Sequence, residues 1–442
     1  MQRNRIILVD LVIMGFLVSS MFVLPVKSVA TPFNIIEVES SSLSFPLGIY
    51  WPLKTDDIDK AQNIGLDTVI FGYDTNISLE ETPAYSAITL LNHCQNIGMN
   101  VVFELSYFLR WNDLEHLHPN ITLLREYSCI STWYLVDEPA ISQNGTRIDE
   151  NAIFIAHNIV RSLDDRPTFV QFSNQFMDYI ELYDAVPDFV DIISVDPYPF
   201  SGNRSKVATW LDSLNEYNMN RAIMWTVLQA HTFNHSPQYY PTADQFLTDA
   251  VLALQRNVTG LLWFTFGDYN ISEIPMYGPA DSPVSWEAFG NLIYRIRHIM
   301  EYLNSSTENS PIFQQDLVSY AYRTSSNGIA LFIANHNYTV NGAETFWHPT
   351  NVSISIPRND INHAFVVRPW GLESLPHSHL EDGIRIEVDI LNGAILLLTS
   401  ESYLPEFTLS FFFGILCYII TFFFYLYKKR IDFNSKEKKT IK

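Results

Sequence analysis

Eight short apolar runs, separated by polar or helix-forming stretches, constrain the fold of this 442-residue chain more than any other feature. The runs are rich in β-branched and aromatic residues and fall at 47–51, 68–73, 100–105, 130–139, 168–172, 190–195, 222–228 and 260–266. Apolar runs joined by helices indicate parallel strands with crossover connections. Eight such units within about 250 residues predict an α/β fold, a (β/α)8 TIM barrel, over residues 45–303.

A doubly wound open sheet is the competing architecture for alternating strands and helices. That fold usually carries a glycine-rich phosphate-binding turn after its first strand. Here the first run ends in Tyr50-Trp51-Pro52, which cannot form such a turn. The sequence therefore favours the closed barrel.

The pattern changes beyond residue 311, where short runs alternate between apolar and polar residues. These runs fall at 329–333, 352–356, 364–367, 384–388 and 394–398. Turn dipeptides such as Asn327-Gly328, Asp382-Gly383 and Asn392-Gly393 join them, as in hairpins. Residues 311–402 are predicted to form a small antiparallel β-sandwich.

The two ends of the chain predict a membrane-anchored protein. Residues 1–30 have the charged start, apolar stretch and small residues of a secretory signal, although an uncleaved anchor remains an alternative. Residues 407–427 carry no charge and are long enough for a transmembrane helix, and the basic tail 428–442 is then cytoplasmic. We expect a single-pass protein of the cell membrane with its N-terminal domains extracellular.

Ten Asn-x-Ser/Thr triplets agree with that orientation, because all of them lie in the segment expected outside the cell. Their asparagines are Asn76, Asn120, Asn144, Asn203, Asn234, Asn257, Asn270, Asn304, Asn337 and Asn351. The sequence therefore predicts a glycoprotein.

Charge and composition exclude some function classes. The net charge of −21 argues against binding to nucleic acid through phosphate contacts. Three cysteines do not make a disulfide scaffold, although Cys94 and Cys129 could pair in an oxidising compartment. The histidines show no metal-ligand spacing, so neither a metal nor another cofactor is expected.

Acidic and aromatic residues collect at the carboxyl ends of the predicted strands, which is where a barrel of this type keeps its chemistry. The acids there are Asp74, Glu104, Asp137, Glu138, Asp196 and Asp268. The aromatic residues include Trp51, Tyr73, Tyr198, Trp225 and Trp263. Carboxyl groups among aromatic platforms are what glycoside hydrolysis needs. Some of these acids could instead cap helices.

The stretch Trp133-Tyr-Leu-Val-Asp-Glu-Pro139 resembles the fourth strand of a large clan of barrel glycoside hydrolases that includes the β-galactosidases. Asp196-Pro-Tyr-Pro199 and Leu262-Trp-Phe-Thr-Phe266 have the look of uncharacterised members of the same superfamily. The resemblance covers residues 45–303 and implies that Glu138 is the acid/base. Asp137 stands where that clan has asparagine.

The resemblance also implies a carboxylate nucleophile at the end of strand seven, where this chain has Gln229. Three interpretations stay open. Asp196, or less readily Asp268, could be the second carboxyl; the substrate could supply its own nucleophile; or the barrel could bind glycans without cutting them.

The sequence thus predicts a cell-surface glycoside hydrolase acting on an oligo- or polysaccharide. Glu138 and Asp196 are the catalytic candidates. The expected substrate-binding residues are Trp51, Tyr73, Glu104, Asp137, Tyr198, Trp225, Gln229, Trp263 and Asp268. The main alternative is a non-catalytic glycan-binding or adhesion protein on a degenerate barrel. A polysaccharide deacetylase or lyase is a weaker third option.

Overall fold

A computed structural model describes residues 44–72, 87–141, 147–173, 176–200, 202–234, 236, 239–271, 274–341 and 344–400. Its main feature is a closed barrel of eight parallel strands in sequence order, in which β8 pairs with β1. The strands are β1 (Leu47–Tyr50), β2 (Thr68–Gly72), β3 (Asn100–Glu104), β4 (Ile130–Asp137), β5 (Thr168–Phe172), β6 (Ile192–Val195), β7 (Ile223–Gln229) and β8 (Leu261–Phe264). The predicted barrel is confirmed.

Helices lie between the strands and around the barrel. They are α1 (Thr55–Asn63), α2 (Ala87–Ile97), α3 (Ser106–Arg110), α4 (Leu114–Leu124), α5 (Glu150–Leu163), α6 (Val186–Phe189), α7 (Ser205–Asn218), α8 (Ala243–Leu254), α9 (Pro283–Arg297) and α10 (Met300–Asn304). Two 3₁₀ helices, Phe176–Leu182 and Pro279–Asp281, complete the set for the described residues. Helices α3, α4, α6 and α7 were not expected from the sequence.

Alternation along the strands separates two apolar layers. The outer layer lies between strands and helices, and Ile49, Val69, Val170 and Trp263 belong to it. The barrel interior is filled by a second cluster, made of Tyr50, Ile70, Val102, Tyr134, Phe169, Ile192, Trp225, Val227 and Leu262. The barrel is therefore a packed core with chemistry possible only at its ends.

Antiparallel sheets follow the barrel, as expected for this region. One sheet has the order β11-β13-β14-β22-β18-β19, with β12 beside β13, and another has the order β17-β21-β20. The strands are β11 (Glu308–Asn309), β12 (Phe313–Gln315), β13 (Val318–Ser325), β14 (Gly328–Asn335), β17 (Thr350–Ile356), β18 (His363–Arg368), β19 (Gly371–Ser374), β20 (His377–Leu380), β21 (Gly383–Ile390) and β22 (Gly393–Thr399). Apolar residues from both sheets form one cluster.

Two hairpins stand outside these sheets. One joins β9 (Tyr269–Ile271) to β10 (Ile274–Met276), directly after the barrel. The other joins β15 (Tyr338–Asn341) to β16 (Glu344–Trp347).

The larger sheet packs against helix α8 of the barrel. Every residue of α8 from Gln245 to Leu254 is buried, because Phe332, Ile395 and Leu397 of the sheet belong to the same apolar cluster as the helix. A capping box between Thr242 and Gln245 begins the helix. The barrel and the sheets thus share one core.

Several predictions fall outside the described residues. They are the signal 1–30, the transmembrane segment 407–427 and the tail 428–442. Within the described residues, none of the helices is long and apolar enough to span a bilayer. Cys94 and Cys129 are both buried and form no disulfide in this structure.

Candidate active site

An irregularity in β4 turns its last residue, Asp137, into the barrel. Leu135 and Val136 both lie in the outer layer, although Tyr134 before them lies in the interior. The pairing of β4 with β5 shifts register between Tyr134 and Val136, which is a β-bulge. The next residue, Asp137, therefore points inward again, and its carboxyl accepts a 2.5 Å hydrogen bond from the Tyr134 hydroxyl.

Glu138 joins Asp137 on the inner side through a left-handed backbone. Its φ is +44°, a region that residues other than glycine rarely occupy. Its N–H still donates to the Gln171 carbonyl of β5 at 2.9 Å, so the ladder continues past the end of β4. Strict alternation would have placed Asp137 and Glu138 on opposite faces.

Glu138 and Asp196 form a hydrogen-bonded carboxyl pair at the mouth of the barrel. Burial and the neighbouring charge of Asp137 raise the pKa of Glu138 to about 7, against smaller lowering effects of Asp196 and Arg110. Burial, followed by the charge of Glu138, raises the pKa of Asp196 well above its usual range. The pair therefore holds at least one proton at neutral pH.

Deeper in the barrel, beneath the Glu138–Asp196 pair, polar side chains are joined by hydrogen bonds. The Tyr50 hydroxyl of β1 donates to the Gln171 Oε1 oxygen of β5 at 2.6 Å, across the barrel. The Tyr134 hydroxyl also lies 3.1 Å from that oxygen. Alternation puts Gln171 on the same inner face as Phe169, and that signal could have identified it from the sequence.

Two side chains of helix α3 form hydrogen bonds with the backbone of Asp137. The Ser106 hydroxyl accepts the Asp137 N–H at 2.9 Å, and the Arg110 guanidinium donates to the Asp137 carbonyl at 2.5 Å. Arg110 is also close enough to Glu138 for its charge to lower the pKa of that carboxyl. Sequence reasoning missed Arg110 because it missed α3.

Gln229 lies at the end of β7, where the clan that the sequence resembles has its nucleophile. It is on the inner face, in step with Trp225 and Val227 of the interior cluster. Its amide nitrogen donates to the His231 carbonyl at 2.9 Å. Its Oε1 oxygen is buried and accepts no hydrogen bond from the described residues.

Rings beside Gln229 form what we call the aromatic wall, made of Trp51, Tyr198, Phe200, His231, Phe233 and Phe264. The ring of His231 lies 5.1 Å from the rings of Tyr198 and Phe264. Trp51 meets Phe264 at 4.6 Å, edge to face. Burial lowers the pKa of His231 to about 4, so this ring is neutral at pH 7.

The two tryptophans Trp225 and Trp263 do not lie at the rim. Trp225 is 2% exposed at the amino end of the barrel, where a Cβ on Gly260 would come within 2.7 Å of it. Trp263 is fully buried in the outer layer against Phe289 of α9. Both are core residues in this structure, so their positions do not agree with the expectation that they line the rim and bind substrate.

The remaining candidates are placed as follows. Glu104 is buried at the end of β3, level with Tyr134 and hence one layer below Asp137. Asp268 is exposed in the loop after β8, where its charge contributes to the raised pKa of Tyr240. Tyr73 and Asp74 lie outside the described residues.

One group of metal-ligand type occurs among the described residues, at the start of α4. It consists of Asp113, Glu115 and His116, and Asp113 contacts the His116 ring at 2.5 Å. The hydrogen bond to Asp113, which is also an ion pair when His116 is charged, raises the pKa of the histidine. Exposed acids of this kind are common without an ion.

Comparison with known proteins supports the fold. No protein-family model matches the sequence, and no curated protein matches it. A GH30 endoxylanase from Clostridium papyrosolvens C71 superposes with a TM-score of 0.52 at 8% identity, covering 81% of this chain and 96% of that one. A maltogenic alpha-amylase, AmyB, from Thermotoga neapolitana superposes with a TM-score of 0.51 at 11% identity, covering 80% and 98%.

These similarities are similarities of fold. The chain is similar in fold to two barrel glycoside hydrolases over most of its described length, which agrees with the fold that the resemblance implied. At such identities the reaction has to be argued from the residues of the site.

Proposed function

We propose that this protein is a glycoside hydrolase that cleaves O-glycosidic bonds in an oligo- or polysaccharide, with Glu138 as the proton donor. One observation carries the proposal. At the carboxyl end of the barrel, Glu138 is paired with Asp196 in surroundings that raise its pKa to about 7.

That pKa suits a general acid. Proton transfer is most efficient when the pKa of the donor lies near the working pH, and hydrolases reach this by burying a carboxyl beside another acid. A structural glutamate would normally be ionised at pH 7. The shifted group also lies beside the aromatic wall, whose rings offer flat apolar surfaces for sugar stacking.

Asp196 acts in this proposal as the positioning partner of Glu138. Two carboxyl groups that flank a glycosidic bond are about 5 Å apart in retaining enzymes and farther apart in inverting ones. Hydrogen-bonded carboxyls leave no room for a sugar between them. The placement therefore does not fit the expectation that Asp196 is the second catalytic carboxyl.

A second candidate function, glycan binding without cleavage, is favoured by Gln229. An amide at that position cannot form a glycosyl-enzyme bond. The shifted carboxyl pair counts against this alternative, because buried acids are costly to keep unless they are used.

We also propose that the protein works outside the cell, held by residues 407–427 with the tail 428–442 in the cytoplasm. The support is in the sequence alone: an uncharged apolar segment followed at once by Lys428, Lys429 and Arg430, and ten glycosylation triplets upstream of it.

The test is cleavage by the full-length protein and its Glu138→Gln variant. A broad panel of oligosaccharides and aryl glycosides is incubated with each, and released reducing ends are counted. We expect the parent to cleave at least one member and the variant to lose about 100-fold or more of that rate. Glu387→Gln, on an exposed position of β21, is the matched control.

Equal cleavage by parent and Glu138→Gln would overturn the role of Glu138. If neither protein cleaves any glycan but both bind one, the binding-protein alternative is correct.

A further inference from the structure

No described acid stands across a bound sugar from Glu138. Asp137 is its neighbour in the chain, and Asp196 is hydrogen-bonded to it. Glu104 lies a layer lower, and Asp268 is exposed in a loop. If Glu138 protonates a glycosidic oxygen, none of these described acids is placed to attack the anomeric carbon from the other side.

Gln229 is an inward-facing polar residue at the same end of the barrel. It is at the carboxyl end of β7, three strands around the barrel from β4. One N–H of its amide donates to the His231 carbonyl, whereas the buried Oε1 oxygen has no partner among the described residues. A buried carbonyl oxygen without a partner is costly, and the bond that satisfies it must come from an N–H or O–H donor.

The aromatic wall beside Gln229 indicates that a ligand bound there also has an apolar part. Gln229 is two residues from His231, whose ring contacts Tyr198, Phe200 and Phe264 at 5.1–5.2 Å. A hydroxyl group on the sugar has no apolar part that could pack against these rings. An amide bearing a methyl group would place its N–H on Gln229 and its methyl against the wall.

We propose that the sugar cleaved by this protein is a 2-acetamido-2-deoxyhexose, that the N–H of its amide donates to the Gln229 Oε1 oxygen, and that the oxygen of the same amide attacks the anomeric carbon. The inference rests on the proposed hydrolase function and names its substrate class.

The step balances without a second protein carboxyl. Glu138 gives its proton to the glycosidic oxygen as the C1–O bond breaks, and the amide oxygen forms a bond to C1. The amide nitrogen keeps its proton, so the intermediate is a cyclic oxazolinium cation. Water then attacks C1 and gives a proton to Glu138, the C1–O(amide) bond breaks, and the anomeric configuration is retained overall.

Matched substrates test this inference in the full-length parent protein. The probes are the 4-nitrophenyl β-glucoside and β-galactoside, each beside its 2-acetamido-2-deoxy counterpart. We expect kcat/KM to be at least 100-fold higher for an acetamido member, with retention of configuration. Replacing N-acetyl by N-trifluoroacetyl should lower kcat at least 10-fold, because fluorine weakens the amide oxygen as a nucleophile.

The variant Gln229→Leu tests the placement of the amide. Its probe is the 1,2-fused thiazoline of 2-acetamido-2-deoxyglucose, which mimics the cyclic cation when its ring nitrogen is protonated. We expect the thiazoline to bind the parent and to bind Gln229→Leu at least 10-fold more weakly. Gln314→Leu, on the exposed strand β12, is the matched control.

The outcomes separate the two proposals. Comparable or faster hydrolysis of the 2-hydroxyl glycosides overturns the acetamido inference and leaves the hydrolase proposal standing. Failure to cleave any glycoside, together with failure to bind the thiazoline, overturns both. Thiazoline binding that depends on Gln229, without cleavage, supports the ligand class and overturns the hydrolase function. The substrate comparison needs only the parent, so it stands even if a variant does not fold.

Discussion

The pKa and the backbone conformation of Glu138 are set by the residues immediately around it. Burial and Asp137 raise its pKa, whereas the hydrogen bond with Asp196 and the charge of Arg110 lower it. Its left-handed backbone costs about 1–3 kcal/mol and persists because the N–H is held by Gln171. Such strain at a carboxyl with a shifted pKa is typical of functional positions rather than structural ones.

The pH dependence of activity follows from that pKa. The acid must be protonated to act, so kcat/KM should fall as the pH rises above about 7. Removing the neighbouring charge by Asp137→Asn should lower the pKa of Glu138 and move this limb to lower pH. Removing the cation by Arg110→Gln should move it to higher pH. The measurement is the pH profile of kcat/KM for the three proteins.

Arg385→Gln, at an exposed position of β21, controls for a general change in net charge. If the falling limbs of the three pH profiles coincide, or if both variants shift the limb in the same direction, then a group other than Glu138 carries the titration.

At the scale of elements, the sequence predicted where the strands are and missed how one of them is built. The β4 bulge leaves no mark in composition, since Leu135 and Val136 are both apolar and fit either face. The crowding of acids at the strand ends was visible, but the pairing of Glu138 with Asp196 depends on that bulge. Side-chain spacing alone could not have shown it.

Two of the four unexpected helices were missed, and two tryptophans were misplaced, for identifiable reasons. Helix α4 contains Pro119, which argues against a helix when only the sequence is read. More than half of the residues of helix α7 are polar, so the segment resembles a loop when only the sequence is read. Trp225 and Trp263 were assigned to the rim by residue type, whereas their positions on β7 and β8 place them in the core.

The core position of Trp263 predicts a stability effect. Trp263→Ala should lower the free energy of unfolding by about 3–5 kcal/mol, because it leaves a cavity against Phe289. The KM of the folded fraction should not change. Urea denaturation and steady-state kinetics check both. Trp370→Ala, at a position 73% exposed, should change stability by less than about 0.5 kcal/mol. A raised KM in Trp263→Ala would return this residue to the binding site.

At the scale of the whole molecule, buried polar groups join the barrel to the larger sheet. Arg323 of β13 donates to the Val258 carbonyl of the barrel at 2.7 Å and lies over the rings of Phe45 and Phe332. Gln255 donates to the Ser319 and Phe332 carbonyls. These bonds hold the larger sheet against α8, which in turn follows the strand that carries Gln229.

The interface predicts linked unfolding. Arg323→Ala should cost at least about 2 kcal/mol, because it leaves a buried carbonyl unsatisfied and opens a cavity. Tryptophans of the barrel and of the sheet region should then unfold in one transition at lower urea. Arg385→Ala, at an exposed position, is the control. A separate early transition of the sheets would contradict a shared core.

The central claim, that Glu138 donates the proton to the leaving group, is tested most directly by leaving-group dependence. The rates of parent and Glu138→Gln are compared on glycosides of one sugar whose leaving groups range from dinitrophenol to an unactivated sugar. Good leaving groups need little protonation, so the loss in the variant should be small for dinitrophenol. It should grow to about 100-fold or more for the sugar. A loss of the same size across the series, or no loss at all, would contradict the assignment.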